Sequence, residues 1–314
     1  MIAWLFPGQG TQTVGMGKSL CAASPAARAV FEAADRALGE RFTELVFEGP
    51  LEKLTYTANA QPAILTASMA ALAALREAAP ALPLPYAAAG HSLGEYSALV
   101  AAGALAFEQA VQLVRLRGEA MQRAVAAGEG AMAAIMGSDP GAVEQLCADV
   151  RAELVGRVVS PATFNAPGQI VIAGHADAVA RAASLGKERK LKAIPLKVSA
   201  PFHCSLMAPA AEVLDRALAE VRFGPLGFPV VSNVDASANR DSAKIRSLLV
   251  RQVAGAVRWQ ESLQWMAAQG VSAALEIGPG NVLAGLAKRG VPSLVVSPAF
   301  EASEISAVAQ RGRA

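Results

Sequence analysis

Short apolar segments alternate with helical segments along most of the chain. "IAWLF", "PYAAAG", "AALEIG" and "SLVVSP" are short and apolar enough to form buried strands. The longer segments "QPAILTASMAALAALREAA" and "FEQAVQLVRLRGEAMQRAVA" carry apolar residues three and four positions apart, which is typical of helices. Strands that alternate with helices pack into a mainly parallel sheet with helices on both faces. The sequence therefore predicts an α/β fold with this architecture.

The middle of the chain follows a different order. We predict, in sequence, the strand "GAMAAIMG", the helix "DPGAVEQLCADV", the strands "VVSPATF" and "GQIVIAG", the helix "ADAVARAASLG" and the strand "KAIPLKVS". This βαββαβ order is that of a ferredoxin-like unit. We therefore expect a small ferredoxin-like subdomain at residues 129–197, inserted into a large α/β catalytic domain made of residues 1–128 and 198–314.

Composition excludes several classes of protein. Hydrophobic residues make up 53% of the chain and charged residues 17%, which argues against disorder. The net charge of +2 argues against a protein built to bind nucleic acid. Cys21, Cys147 and Cys204 are widely spaced and form no zinc-binding pattern, which favours a reducing compartment and predicts no metal site.

The N-terminal segment favours a buried strand over a signal peptide, because it has no basic region and reaches Pro7 almost at once. Charges interrupt the apolar runs, so we expect no membrane-spanning segment of roughly 20 apolar residues. Together with the cysteine pattern, these features predict a cytoplasmic protein.

The segment "GHSLGE" places a serine between two glycines. Ser92 follows the predicted strand "PYAAAG" and precedes the predicted helix "EYSALVAAGAL". A strand, a tight glycine turn and a helix form the context of a nucleophile elbow, in which the helix N-terminus points at the reacting centre. The same pattern also occurs as an ordinary glycine-rich turn, but the flanking elements favour a nucleophile.

A serine nucleophile needs a base, and the chain has three histidines. His91 adjoins Ser92, and neighbouring side chains on a turn rarely reach each other. His175 lies between a strand and a helix of the small subdomain, where a surface or helix-start position is expected. His203, in "VSAPFHCSLM", is the remaining candidate. Because no acidic residue stands out as a third member, a backbone carbonyl is an alternative group to orient the imidazole.

The loop "FPGQGTQ" at residues 6–12 carries glycines that expose backbone N–H groups. It lacks the lysine and hydroxyl residue of a phosphate-binding P-loop. An oxyanion hole made by the N–H groups of Gln9 and Leu93 is the better use. An ordinary strand-to-helix turn explains the loop when it is considered alone.

Two arginines lie two residues apart in "VQLVRLRGEAMQ". Arg115 and Arg117 therefore point to different sides of the predicted helix, so one can be solvated while the other faces inward. An inward arginine offers a planar fork that binds a carboxylate. A solvated helical arginine is the alternative.

Taken together, these segments resemble the malonyl-CoA:acyl carrier protein transacylases, the free-standing acyltransferases of fatty-acid or polyketide synthesis. "FPGQGTQ", "GHSLGEYSAL", "VRLRGEAMQ", "FNAPGQIVIAG", "FHCSLM", "VSNVDA" and "EIGPGNVL" occur in the family's order to about residue 300. The resemblance implies a hydrolase-like α/β domain with a ferredoxin-like insertion. It assigns the nucleophile to Ser92, the base to His203, the oxyanion hole to Gln9 and Leu93, and binding of the malonyl carboxylate to Arg117.

The resemblance implies further roles with less detail. The backbone near Gln252 is expected to support His203, and Gln252 and Asn165 are grouped with the substrate-binding residues. Phe202 stands where many bacterial fatty-acid enzymes have serine, and its bulk should favour malonyl over methylmalonyl groups. His91 is placed with the substrate-binding residues, although the resemblance explains it least.

The function implied is malonyl transfer from malonyl-CoA to the phosphopantetheine thiol of holo acyl carrier protein. It implies a malonyl-Ser92 intermediate with ping-pong kinetics, no bound cofactor, no nucleic-acid or membrane partner, and a monomer. The alternatives are a trans-acting polyketide synthase acyltransferase, a serine acyl hydrolase or thioesterase, and a catalytically silent binding module. Because Arg117 is present, the chain is less expected to be one of the related acyl hydrolases, which lack this arginine.

A basic segment, "GKERKLK", lies near the end of the small subdomain. It places Lys187, Arg189, Lys190 and Lys192 close together. Acyl carrier proteins are acidic, so this segment is a candidate docking surface. A solvated helix end explains the same charges.

Overall fold

Two β-sheets organise the protein, and a computed structural model describes residues 1–196 and 198–311 of it. In chain order the strands are β1 (Ile2–Phe6), β2 (Ala87–Gly90), β3 (Gly130–Met136), β4 (Val159–Ala166), β5 (Gln169–His175), β6 (Lys192–Pro195), β7 (Val230–Val231), β8 (Ala238–Asn239), β9 (Ala273–Glu276) and β10 (Val295–Pro298).

The helices surround these strands. They are α1 (Lys18–Ala23), α2 (Pro25–Leu38), α3 (Phe42–Glu48), α4 (Leu51–Thr55), α5 (Thr57–Ala78), α6 (Gly94–Ala101), α7 (Phe107–Arg123), α8 (Pro140–Glu153), α9 (Ala176–Glu188), α10 (Ala208–Ala219), α11 (Ser242–Ala254), α12 (Trp259–Ala268), α13 (Val282–Gly290) and α14 (Ala302–Arg311). Helices α1, α3 and α4 are short and were not predicted from the sequence.

The larger sheet has the order β10-β9-β1-β2-β7-β8, and only β8 runs antiparallel to its neighbour. Alternate residues of β1 enter different cores: Trp4 and Phe6 pack on one face, and Ala3 and Leu5 on the other. A central parallel strand is apolar throughout because helices cover both faces of its sheet. The predicted α/β fold with a mainly parallel sheet is confirmed.

Helix α5 lies in the core beneath this sheet. It has 22 residues, and its length and composition alone would allow it to cross a membrane, which the sequence reading did not anticipate. However, 89% of its apolar 18-residue stretch is buried inside the protein, where the helix packs against α2 and α7. This position in the core explains why the helix is apolar on every side.

The smaller sheet is antiparallel with the order β4-β5-β3-β6. Helices α8 and α9 cover one face with their own apolar core, and the other face joins the main core through Met132 and Ala134. This is the predicted ferredoxin-like arrangement. Residue 197, where the small subdomain was predicted to end, and residues 312–314 lie outside the described residues, and the division of the chain at residues 129 and 197 stays a prediction.

Strand β7 is shorter than the segment "FPVVSNV" predicted, because only Val230 and Val231 pair with the sheet. The chain then turns, with the N–H of Ala236 donating to the carbonyl oxygen of Ser232 at 2.9 Å. Asn233 leaves the strand at this turn and directs its side chain toward the end of β2. The early end of the strand thus brings this asparagine next to the end of β2.

Candidate active site

Ser92 occupies a strained turn between β2 and α6. Its φ angle is +52°, in the left-handed region that residues other than glycine rarely adopt. Helix α6 can begin here only because two neighbours are glycines: a Cβ at Gly94 would lie 2.1 Å from the carbonyl oxygen of Phe6, and one at Gly90 would lie 1.8 Å from the carbonyl carbon of Gly94. The turn therefore has the geometry of a nucleophile elbow.

Asn233 ties this turn together from a distant part of the chain. Its Oδ1 accepts from the N–H of Ser92 at 2.7 Å, and its Nδ2 donates to the carbonyl oxygen of Gly90 at 2.7 Å. The bond to Gly90 is buried and the bond from Ser92 is partly buried, and together they support the strained conformation of Ser92. Sequence reasoning assigned Asn233 no role, although this polar residue interrupts the predicted strand and lies in the motif "VSNVDA".

His203 lies beside Ser92 although 111 residues separate them. The Ser92 Oγ hydroxyl donates to His203 Nε2 at 2.7 Å, and the Nδ1–H of His203 donates to the carbonyl oxygen of Gln252 at 2.9 Å. A carbonyl oxygen can only accept, so the hydrogen bond fixes the tautomer that leaves Nε2 free as a base. A backbone carbonyl therefore orients the imidazole, where many serine enzymes use a carboxylate.

Burial and the nearby positive charge of Arg117 lower the pKa of His203 to about 3. The imidazole is therefore neutral at physiological pH. A neutral Nε2 at hydrogen-bond distance from a serine hydroxyl can accept its proton.

Arg117 faces the interior and is only 2% exposed, whereas Arg115 faces the other side of α7 and bonds Asn59 at 2.7 Å. Arg117 Nη2 donates to Ser92 Oγ and to Gln252 Oε1, each at 3.0 Å, and Nη1 donates to Gln61 Oε1 at 2.8 Å. Within residues 1–196 and 198–311 the guanidinium forms no ion pair. It is therefore a buried cation directed at the serine hydroxyl and able to bind an anion there.

The side chain of Gln252 joins these groups, whereas the sequence predicted only that its backbone supports His203 and that the residue belongs with the substrate-binding group. Its Nε2 donates to the carbonyl oxygen of Ser92 at 2.9 Å and to Glu95 Oε2 at 2.8 Å. Gln252 and Glu95 are both buried. Gln61, Glu95 and Asn233 are thus site residues that sequence reasoning did not find.

The loop that contains Gln9 packs directly on the serine turn. A Cβ at Gly8 would lie 2.4 Å from the carbonyl oxygen of His91, so this close approach requires glycine. The Gln9 side chain is held by Thr57, whose Oγ1 accepts from Gln9 Nε2 at 3.2 Å. Among the described residues, the backbone N–H groups of Gln9 and Leu93 donate to no protein acceptor. These two amides therefore remain available to an oxyanion.

His91 and Asn165 connect the serine turn to the small sheet. His91 Nε2 and Asn165 Oδ1 lie 2.8 Å apart, and the imidazole packs on Trp259 with ring centroids 5.5 Å apart. Burial lowers the pKa of His91, so this ring is also neutral. The third histidine, His175, accepts from the N–H of Val158 at 2.8 Å, away from the site, and therefore has a structural role.

A cavity of about 250 Å³ opens above Ser92. Phe202, 9% exposed, forms part of its wall. The residues that line the cavity are Gln9, Gly10, Gln12, Thr55, Gln61, His91, Ser92, Arg117, Met121, Met132, Thr163, Asn165, Val171, Leu196, Val198, Phe202 and His203. The structure thus brings together most of the predicted site residues, although Leu93 and Gln252 are not among the residues that line the cavity. No cluster of metal-ligating side chains occurs in the part of the chain that the structure describes.

Known proteins share both the sequence and the fold. Residues 3–312 match the family model for the acyl transferase domain. The malonyl CoA-acyl carrier protein transacylase of Bacillus subtilis is 50% identical over 289 residues, which cover 92% of this chain and 90% of the relative. The crystal structure of an acyl carrier protein S-malonyltransferase from Vibrio cholerae is 47% identical with a TM-score of 0.94, covering 98% of this chain and 99% of that chain. A malonyl-transacylase bound to its type II PKS acyl-carrier protein is 44% identical with a TM-score of 0.95, covering 99% of each chain.

Proposed function

This chain belongs to the acyl transferase domain family, and we propose that it moves a malonyl group from malonyl-CoA to acyl carrier protein through an ester on Ser92. The family, and the relatives named for this reaction, make the chain an acyltransferase. The observation that carries the choice of acyl group is the buried Arg117 guanidinium, 3.0 Å from the serine Oγ. A cation there binds an acyl group that ends in a carboxylate.

The first half-reaction forms the ester. His203 Nε2 takes the proton of Ser92 as the Oγ attacks the thioester carbonyl. The amides of Gln9 and Leu93 stabilise the oxyanion, and the carbonyl oxygen of Gln252 stabilises the imidazolium through Nδ1–H. When the C–S bond breaks, the proton on Nε2 passes to the departing thiolate, and coenzyme A leaves.

The second half-reaction reverses these steps with a different thiol. The phosphopantetheine thiol of acyl carrier protein gives its proton to His203 Nε2 and attacks the malonyl ester. As the ester C–O bond breaks, the proton returns to Ser92 Oγ. Both thiols use the same cavity in turn, which predicts ping-pong kinetics.

The direct test uses malonyl-CoA and holo acyl carrier protein in succession. We expect mass spectrometry of the enzyme after malonyl-CoA to locate a malonyl group on Ser92, and carrier protein added next to remove it as malonyl carrier protein. Release of free malonate at the same rate without carrier would indicate a hydrolase. The absence of an adduct and of transfer would indicate a binding module.

The low pKa of His203 predicts a particular pH dependence. Because the neutral imidazole is the base, acylation of Ser92 should keep its rate from about pH 8 down to about pH 5, well below the ordinary histidine value. In Arg117→Ala, loss of the positive charge should raise the pKa of His203 and move the acid limb to higher pH. The measurement is the rate of Ser92 acylation by acetyl-CoA as a function of pH, followed by rapid quench in the wild-type enzyme and in Arg117→Ala. A wild-type acid limb at the ordinary histidine pKa contradicts this expectation.

Phe202 is proposed to exclude an α-methyl branch. We expect Phe202→Leu to raise the ratio of methylmalonyl to malonyl kcat/KM by roughly tenfold, since space for one methyl group is worth about 1–3 kcal/mol. Phe228→Leu is the matched control, because Phe228 is also buried but packs on Trp4, outside the cavity lining. Equal changes in the two variants would show that Phe202 does not set the preference.

The basic segment is proposed as the docking surface for the carrier. Lys187, Lys190 and Lys192 are exposed, while Arg189 pairs with Asp149 at 2.6 Å. Strand β6 begins at Lys192 and leads to Leu196, which lines the cavity, so Lys192 lies about 13 Å along the chain from the cavity wall. Lys187, at the end of α9, and Lys190, in the turn that follows, precede it. An acidic carrier held there would present its thiol to the cavity.

We expect the double variant Lys187→Glu, Lys190→Glu to raise the KM for carrier protein roughly 5- to 30-fold, since each exposed ion pair contributes about 0.2–1 kcal/mol and reversal adds repulsion. The second half-reaction, started from malonyl-enzyme, is the measurement. Lys288→Glu changes an exposed lysine on α13 and is the control. An unchanged carrier KM in the double variant removes this surface from the proposal.

A further inference from the structure

Glu95 closes the segment "GHSLGE" and takes no part in the reaction described above. It lies on α6, three residues after Ser92, and is only 3% exposed. Its Oε2 accepts from Gln252 Nε2 at 2.8 Å and from the N–H of Asn233 at 3.1 Å. A buried carboxylate that receives hydrogen bonds from two site residues determines how those residues are oriented.

The first bond sets the orientation of the Gln252 amide. An amide nitrogen has two hydrogens, and those of Gln252 point to Glu95 Oε2 and to the carbonyl oxygen of Ser92. The amide oxygen must then face the other way, where it accepts from Arg117 Nη2 at 3.0 Å. The reversed amide would place its NH₂ against the guanidinium and its oxygen against two acceptors.

The second bond reaches the serine itself. Asn233 receives Ser92 N–H on its Oδ1, and its own backbone N–H is held by Glu95. Glu95 therefore connects to the nucleophile through Asn233 and to the carboxylate-binding arginine through Gln252. No other carboxylate in the described part of the chain accepts from both of these residues.

We propose that Glu95 is a positioning residue that, through the Gln252 amide, holds Arg117 in the orientation that selects an acyl group with a free carboxylate. This inference rests on the proposed malonyl transfer, because it concerns the selectivity of that reaction. Glu95 does not touch the acyl group. Its effect is on the choice between malonyl and uncharged acyl groups more than on the attack by Ser92.

The role requires an acceptor oxygen at the right distance and does not require a charge. Arg117 forms no ion pair with a carboxylate among residues 1–196 and 198–311, and the hydrogen-bonded path from Glu95 to it runs through Gln252. Burial raises the pKa of Glu95 to about 7, and a carboxyl group protonated on Oε1 still accepts on Oε2. A glutamine of the same length can place its amide oxygen at that point.

Two variants separate length from charge. Glu95→Gln keeps the length and removes the charge, whereas Glu95→Asp keeps the charge and is one methylene too short to reach Gln252 and Asn233 as Glu95 does. The measurement is the ratio of kcat/KM for malonyl-CoA to that for acetyl-CoA in acylation of Ser92. We expect Glu95→Asp to lower this ratio roughly ten- to hundredfold and Glu95→Gln to keep it within about threefold of wild type.

Glu276→Asp is the matched control for shortening a buried carboxylate. Glu276 is fully buried at the end of β9 and accepts from the N–H groups of Leu283 at 3.0 Å and Ala284 at 2.8 Å. Glu276 bonds neither Gln252 nor Arg117 among the described residues, so Glu276→Asp should lower transfer of both acyl groups equally and keep the ratio. Thermal melting curves of all variants show whether each is folded.

The outcomes are distinct. A folded Glu95→Asp variant that keeps the wild-type ratio of malonyl to acetyl kcat/KM contradicts the inference. A Glu95→Gln variant whose ratio falls as far as that of Glu95→Asp also contradicts it, because the charge would then be the requirement. If Glu95→Asp does not fold, Glu95→Met takes its place with the same expected loss. A wild-type enzyme that accepts no malonyl group contradicts the proposed function and this inference with it, whereas normal malonyl transfer with an unaffected ratio contradicts the inference alone.

Discussion

Replacement of Ser92 by alanine is expected to abolish malonyl transfer, with kcat falling by roughly 10³ to 10⁶. Ser92 Oγ is the atom that forms the ester. It accepts a hydrogen bond from Arg117 Nη2 at 3.0 Å, and its hydroxyl donates one to His203 Nε2 at 2.7 Å. No malonyl adduct should be found by mass spectrometry after incubation with malonyl-CoA. Binding of malonyl-CoA, measured by calorimetry, should persist because the arginine remains.

Ser97→Ala is the control for this experiment. Ser97 is a buried serine on the same helix α6, and its Oγ has no hydrogen-bond partner in the part of the chain that the structure describes. Its loss should leave transfer near the wild-type rate. An adduct that persists in Ser92→Ala would mean that another residue is the nucleophile.

Arg117→Ala is expected to lower kcat/KM for malonyl-CoA roughly 30- to 5,000-fold, which corresponds to about 2–5 kcal/mol for a buried charge pair that loses one partner. The malonyl carboxylate would then lie in a buried pocket without a cation. An uncharged acetyl group has no carboxylate to lose, so acetyl-CoA should be affected much less. The measurement is acylation of Ser92 with each thioester.

Arg115→Ala tests whether the loss is specific to the inward arginine. Arg115 lies on the same helix two residues earlier, and its partners Asn59 and Glu40 are outside the cavity lining. We expect a ratio of malonyl to acetyl kcat/KM close to that of the wild-type enzyme. If Arg117→Ala lowers kcat/KM equally for malonyl-CoA and acetyl-CoA, the arginine does not bind the carboxylate.

Much of the fold follows from local patterns. The start of α2 illustrates this: the Ser24 side chain accepts from the N–H of Ala27, Pro25 occupies the first turn, and Gly39 ends the helix with a positive φ. Each of these signals acts on backbone groups only a few residues away, so the helix could be placed from the sequence. The same holds for the strands on either side of the small-subdomain helices, which the structure confirms.

The catalytic pair could be predicted partly because the chain offers few candidate residues. Three histidines and one serine in a strand–turn–helix context left few combinations, and the structure brings Ser92 and His203 within 2.7 Å. The outcome for Arg115 and Arg117 followed from helix geometry, because residues two apart on a helix face different directions. Which of the two faces inward could not be predicted from their spacing.

The sequence by itself determined the strand and helix segments, the serine turn and the residue types available for catalysis, because these depend on neighbours a few positions away. Only the tertiary structure decided which polar side chains meet. The partners of Arg117 come from Gln61, 56 residues away, and Gln252, 135 residues away. Buried donors and acceptors must be paired wherever the fold brings them, so their orientation is set by the assembled core.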